Sequence, residues 1–187
     1  MTATNWSQEG YIKAYKFAAA AHHSQTITGT TLPYTTHLAF VCLELIAAFR
    51  AEPGHDEEVG VSCALLHDVI EDTNITYEQI KGEFGQAVAD GVLALTKNEA
   101  LPKTEKMADS LHRIQQQPPI IWMIKLADRI TNLHRPTPPH WTDEKIIAYG
   151  DEARDILEAL GSASPFLAAR LQQKIMAYKE WTGEEKK

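Results

Sequence analysis

The chain is short of cysteine, of basic residues and of long apolar runs. Its two cysteines, Cys42 and Cys63, sit in apolar stretches of helical character, "FVCLEL" and "VSCALL". That setting is expected of reduced core residues and excludes a disulfide framework. Lys and Arg number 18 against 25 Asp and Glu, a formal net charge of -7. An acidic chain is a poor general binder of nucleic acid or of anionic membrane, because clustered Lys and Arg drive both. A small anionic ligand stays open if the field at its site is positive. No window reaches the apolar length that spans a bilayer. The opening "MTATNWSQEG" has neither the basic start nor the apolar run of a signal peptide, so a cytoplasmic location is expected. Sustained strand alternation, internal repeats and low-complexity segments are also missing.

What remains is helical periodicity over 187 residues, enough for one domain, residues 1–187, with a sizeable core. "YIKAYKFAAAAHH" is Ala-rich without breakers, and "THLAFVCLELIAAFR" sets Leu38, Val41, Leu45 and Phe49 on one stripe. "EEVGVSCALLHDVI" reads as a central buried helix. Thr76 with Gln79 forms a capping-box pattern ahead of "YEQIKGEF", and "GQAVADGVLALT" comes next as another helix. "TEKMADSLHRIQQQ" ends before Pro118-Pro119, and "IIWMIKLADRITNL" ends before Pro136, Pro138 and Pro139. A Thr-capped helix then runs to Gly161, and Ser164-Pro165 opens a last one to about Trp181. The expected architecture is an all-α bundle of eight to ten helices, with exposed loops at 24–33 and 134–143 and a tail frayed from about 182.

Chemistry concentrates in "LLHDVIEDT". His67 and Asp68 are adjacent, so on a regular helix they point roughly 100° apart. Both reach one ion only if the helix ends or distorts there. Helical spacing pairs His67 with Glu71 and Asp68 with Asp72. Alone, the dipeptide is better read as a helix end with solvated acids, although acids there oppose the macrodipole. His37 opens an apolar helix. Asp128 stands inside "MIKLADRITNL", where burial demands an ion pair, with Lys125 or Arg129, or a metal. Asn132 shares its face.

Taken together, "AHHSQ…GTTLPYTTHL", "ALLHDVIEDT", "LTKNE" and "IKLADRITNL" resemble the HD-domain metal phosphohydrolases, and more narrowly the RelA/SpoT-type guanosine polyphosphate hydrolases. The resemblance spans Ala21 to Leu133. It implies an all-α fold holding one Mn²⁺ on His37, His67, Asp68 and Asp128, with Glu71 and Asp72 as the catalytic acids. It places Asn132 near the sugar or phosphate of a nucleotide. The implied reaction is hydrolysis of the 3′-pyrophosphate of ppGpp or pppGpp. Two imidazoles and two carboxylates suit Mn²⁺, and the ligand types also suit Zn²⁺. Such an ion polarises a phosphoryl oxygen and acidifies a water, which Glu71 and Asp72 then deprotonate and orient. Lys97, Lys125, Arg129 and Arg135 are candidates to offset the substrate's charge, and Tyr34 to hydrogen-bond or stack on it.

The chain departs from the family on one side of this site. Gln25 is followed by Thr26, Ile27 and Thr28, and loop 24–33 holds no Lys or Arg, where the family carries a basic residue. Leu38 stands where a Pro is usual. The base is therefore open between guanine and adenine, with ppApp a competitor. Two other readings stay open: a nucleotide phosphomonoesterase releasing orthophosphate, and a nucleotide-binding module without turnover. The length leaves no room for a synthetase domain, so a stand-alone hydrolase is expected. Its apolar content is compatible with a homodimer without marking an interface.

Overall fold

The computed structural model describes residues 6–134 and 137–184. Among them the order is α1 (Gln8–Ala21), α2 (Thr35–Ala51), α3 (Glu57–Leu66), α4 (Val69–Asp72), α5 (Tyr77–Phe84), α6 (Gln86–Leu95), α7 (Lys103–Gln115), α8 (Pro119–Asn132), α9 (Asp143–Leu160), a 3₁₀ turn (Gly161–Ala163) and α10 (Pro165–Glu184). The only strand-like feature among the described residues is a single bridge between Thr26 and Pro33. Polar side chains set the helix starts. Thr76 and Gln79 complete the capping box, and Thr142 accepts from the Lys145 N–H. Ser164 accepts from the Leu167 N–H at 3.1 Å, opening α10. That helix continues to Glu184.

Three helices form the centre. α3 buries every residue from Gly60 to Leu66, α2 buries a stripe from His37 to Phe49, and α8 buries ten of its fourteen residues. A helix apolar on all sides is stable only when surrounded. α3 is surrounded, by α1, α2, α6 and α8. Cys42 and Cys63 are buried free thiols in this core, and burial pushes the Cys42 thiol up to about 12.

The sequence reads "EEVGVSCALLHDVI" as one helix, and the structure breaks it. α3 stops at Leu66, and Asp68 takes φ -102° and ψ -1°, the bridge region. The cause is local. Nδ1 of His67 donates to the Ala64 carbonyl at 2.9 Å, the acceptor that the Asp68 N–H would need in a continuing helix. α4 then restarts with the Asp72 N–H on the Asp68 carbonyl at 2.9 Å. The break lets adjacent side chains face one place.

The two polar loops meet. Gly29, at φ 80°, lies so close to Pro139 that a Cβ would sit 2.9 Å from its Cδ, so loop 24–33 needs glycine there on both counts. Leu38, at the family's usual Pro position, is fully buried.

Arg113 of α7 ties down the end of α6. Its guanidinium donates to the carbonyls of Leu93 and Ala94 at 3.0 Å and of Thr96 at 2.8 Å, and pairs with Asp109. These are the orphan carbonyls of a helix C-terminus. Arg113→Met should cost about 2 kcal/mol and lower Tm by about 4–8 °C in a thermal melt. Because Lys97 comes directly after the clamped segment, the same variant should also lose activity beyond what unfolding explains.

Candidate active site

His37 lies in the first turn of α2, His67 and Asp68 at the α3–α4 break, and Asp128 in the third turn of α8. The fold brings all four together. Nε2 of His37 is 3.4 Å from Nε2 of His67, 3.4 Å from Asp128 Oδ1 and 3.7 Å from Asp68 Oδ2. Nε2 of His67 is 2.9 Å from Asp68 Oδ2 and 3.7 Å from Asp128 Oδ1. His37, His67 and Asp128 are 7%, 3% and 6% exposed, so water does not screen the group.

The surrounding bonds fix both imidazoles. A carbonyl only accepts, so Nδ1 of His67 carries the proton it gives Ala64. Thr131 Oγ1 donates to the Asp128 carbonyl at 2.8 Å and so accepts from Nδ1 of His37 at 3.3 Å. Each ring therefore turns Nε2 toward the other ring and two carboxylates. Such a set can hold a cation at its centre, and two nitrogens with two oxygens fit a borderline-hard divalent ion. The carboxylates are held in turn. Tyr34 donates to Asp68 Oδ2 at 2.5 Å, Lys125 to Asp128 Oδ2 at 3.0 Å, and Asn132 to Asp128 Oδ1 at 2.5 Å. Burial works against a charge on His67, but Asp68 and Asp128 outweigh it and hold its pKa well above the usual imidazole value. Burial also opposes the charge on Asp128, and Lys125 with the two imidazoles holds its carboxyl well below the usual range.

Glu71 and Asp72, next along on α4, have different surroundings. Glu71 is gripped at both oxygens by Lys97, by the backbone N–H at 2.9 Å and by Nζ at 2.6 Å. Asp72 Oδ2 accepts from the neutral amide of Gln25 at 2.9 Å. Burial raises the Asp72 pKa, the Gln25 bond pulls it down, and the charges of Asp68 and Glu71 push it up, for a net upward shift. One acid is neutralised by a lysine, and the other is held as a more basic carboxylate.

Both line a cavity of about 520 Å³ that also reaches Tyr34, His67, Asp68, Asp128 and Asn132. Six acidic side chains face five Lys and Arg and His67 across it, and a divalent ion displacing the His67 proton makes its balance positive. Lys97, Lys125 and Arg129 are there, each already engaged. Arg129 donates to the Tyr149 carbonyl at 3.1 Å, pairs with Glu152 at 3.3 Å and lies 3.9 Å over the Tyr149 ring. Lys125 thus makes the ion pair with Asp128 that the sequence left open between Lys125 and Arg129, and Arg129 pairs with Glu152 instead. Arg135 lies outside the described residues.

Sequence reasoning missed Lys103 and Lys106, which line the cavity from α7. Their i,i+3 spacing behind Pro102 was the available signal. Lys106 pairs with Glu99, whereas Lys103 has no carboxylate partner among the described residues. It also missed His22 and Gln25, although both lie in the quoted "AHHSQ". Residues Thr26 to Pro33, the loop notable for its lack of charge, do not line the cavity.

The chain matches the HD domain family profile over residues 14–156. It is 30% identical over 169 residues to the guanosine-3′,5′-bis(diphosphate) 3′-pyrophosphohydrolase MESH1 of Xenopus tropicalis, covering 88% of this chain and 92% of that protein. It is 36% identical over 124 residues to the guanosine-3′,5′-bis(diphosphate) 3′-pyrophosphohydrolase of Aquifex aeolicus, covering 65% of this chain and 17% of that one. A solved structure of a metazoan ortholog of SpoT, described as hydrolysing ppGpp, superposes with a TM-score of 0.80 at 26% identity, covering 92% of this chain and 97% of that one.

Proposed function

The chain belongs to the HD domain family, and on that premise we propose that it is a metal-dependent hydrolase of an alarmone nucleotide. It cleaves the 3′-pyrophosphate of ppGpp or pppGpp, giving GDP or GTP and pyrophosphate. The observation that carries this is the placement of an unequal acid pair beside a cluster of His37, His67, Asp68 and Asp128, on a cavity that lysines also line. The full-length relation to a MESH1 protein supplies the substrate class. We assign the ion as Mn²⁺, held by those four residues, and the enzyme to the cytoplasm.

When bound, the ion supplies Lewis-acid polarisation of the phosphoryl group and acidifies water. The remaining work falls to the chain. Asp72 takes the proton of the attacking water, since its carboxylate is the less neutralised of the pair. Lys97 bonds both oxygens of Glu71 at the cavity wall. Lys103, with no acid of its own among the described residues, is the cation freest to meet a phosphate, and Lys97, Lys125 and Arg129 add positive field around it. Asn132 and Tyr34 hold Asp128 and Asp68 and border the substrate.

The test is product identification. Protein loaded with Mn²⁺ and given ppGpp or ppApp should release pyrophosphate. Both are needed because loop 24–33 holds no Lys or Arg. Release of orthophosphate would move the chain to the phosphomonoesterases, and tight binding without products to the silent modules.

His67 makes metal binding pH-dependent. In the metal-free protein its raised pKa keeps a proton on the ring that the ion must displace. Apparent affinity should therefore rise by about tenfold per pH unit through the usual imidazole range and level off above the raised value. Calorimetric titrations at pH 6, 7 and 8 read this directly, and an unchanged Kd would contradict it.

A further inference from the structure

Asp72 differs from Glu71 in having a neutral partner that is itself held from behind. Gln25 Nε2 donates to Asp72 Oδ2 at 2.9 Å, and Gln25 Oε1 lies 2.6 Å from Nδ1 of His22. His22 is 3% exposed, and its ring packs on Tyr34 at 4.9 Å. Its Nε2 is buried without a hydrogen-bond partner among the described residues. A buried imidazole with a single polar contact is costly unless that contact matters.

The chain of bonds has a direction. An ionised carboxylate only accepts, so Gln25 must turn its NH₂ to Asp72. Its oxygen then faces His22, which must donate from Nδ1. The loop does not need these side chains to close. The Gln25 N–H already bonds the His22 carbonyl at 2.9 Å, and the Tyr34 N–H bonds the Gln25 carbonyl at 2.9 Å. The side-chain link to Asp72 is additional to that backbone anchoring.

We propose that Gln25, braced by His22, is a positioning residue for the hydrolysis, occupying Oδ2 of Asp72 so that Oδ1 is aimed at the attacking water. The inference rests on the hydrolytic reading above. In the step it serves, the water proton moves to Asp72 Oδ1 as the new oxygen–phosphorus bond forms. The bond from that phosphorus to the ribose 3′ oxygen breaks, pyrophosphate is released, and the 3′ oxygen leaves and takes up a proton from solvent. No hydrogen bond among the described residues reaches Oδ1. The titratable groups facing Asp72 are Asp68 and Glu71 on its own turn and His22 from the end of α1, with Lys97 turned to Glu71. Gln25 is therefore the donor that sets the carboxylate's orientation.

The test combines kinetics with a substrate-free measurement. Gln25→Met keeps the length and removes both bonds. It should lower kcat by about 10–100-fold, leave KM within about threefold and leave metal stoichiometry unchanged. Gln25→Glu keeps a partner for His22 but offers Asp72 an acceptor, and should lose at least as much. In an Asp72→Asn background, Gln25→Met should change kcat by less than about twofold, because the two act as one unit. Independently, ¹⁵N spectra should show His22 as the Nδ1–H tautomer in the wild type. That bias should vanish in Gln25→Met and weaken in Asp72→Asn, whose amide can face Gln25 either way. Full kcat in Gln25→Met, additive losses in the double variant, or a His22 tautomer blind to Asp72→Asn would each overturn the proposal. A wild type that releases no pyrophosphate counts against the assigned reaction instead, and the tautomer response still decides whether Gln25 holds Asp72.

Discussion

Asp72→Asn should purify with its metal and lose almost all turnover, with kcat down by about 10²–10⁴. The substitution keeps size, and its amide still hydrogen-bonds Gln25 with either its oxygen or its NH₂ turned to it, so the fold and the His37–His67–Asp68–Asp128 cluster should be untouched. What it removes is the carboxylate whose pKa is raised by burial and by the Asp68 and Glu71 charges despite the Gln25 bond. Glu71 is badly placed to take over, because Lys97 holds both its oxygens, at 2.9 and 2.6 Å. Steady-state kinetics beside metal analysis of the same preparation checks this. A loss under about tenfold would move the proton transfer elsewhere.

Asp128→Ala should fail at an earlier stage, in the metal itself. Among the described residues, Asp128 is the one that meets both imidazoles, Lys125 and Asn132. Removing it deletes one of four candidate ligands and leaves the Lys125 ammonium, 12% exposed, without its carboxylate. Metal content after gel filtration should fall from about one ion per chain to near zero, and turnover to background. Breaking a buried pair by deleting one partner costs about 3 kcal/mol or more, a Tm drop of about 6–12 °C against the metal-free wild type. Added Mn²⁺ should stabilise the wild type by about 2.7 kcal/mol at one hundred times Kd and leave the variant unmoved. A variant that still melts higher with added metal would show that the ion sits elsewhere.

The helices were legible because their signals are local. Thr76 with Gln79, Thr142 and Ser164 each mark a start by chemistry within three residues, and the proline pairs mark ends. The meeting of His37, His67, Asp68 and Asp128 was legible only as a pattern of residue types, since nothing in the spacing says that α2 and α8 flank α3. The helix break at His67 was half legible. An apolar run favours continuation, and the competing Nδ1 bond to Ala64 forms only when the imidazole is turned into the buried cluster. Tertiary surroundings also decided the basic residues. Arg129 was a candidate for the substrate, yet Tyr149 and Glu152 of α9, remote in sequence, take its guanidinium. Lys103 was overlooked because a lysine behind a proline at a helix start looks like any solvated one. At Gln25 the visible feature is the uncharged run Thr26 to Thr28. Its own amide gives no local signal, because its partner Asp72 is 47 positions away.

The most direct measurement of metal-dependent pyrophosphate release is turnover against metal occupancy. Protein stripped with a chelator is titrated with Mn²⁺ in the presence of ppGpp, and pyrophosphate, orthophosphate and bound ion are measured together. The expected result is pyrophosphate alone, at a rate rising in proportion to occupancy and saturating at one ion per chain. Undiminished release from stripped protein, or orthophosphate as the product, would contradict it.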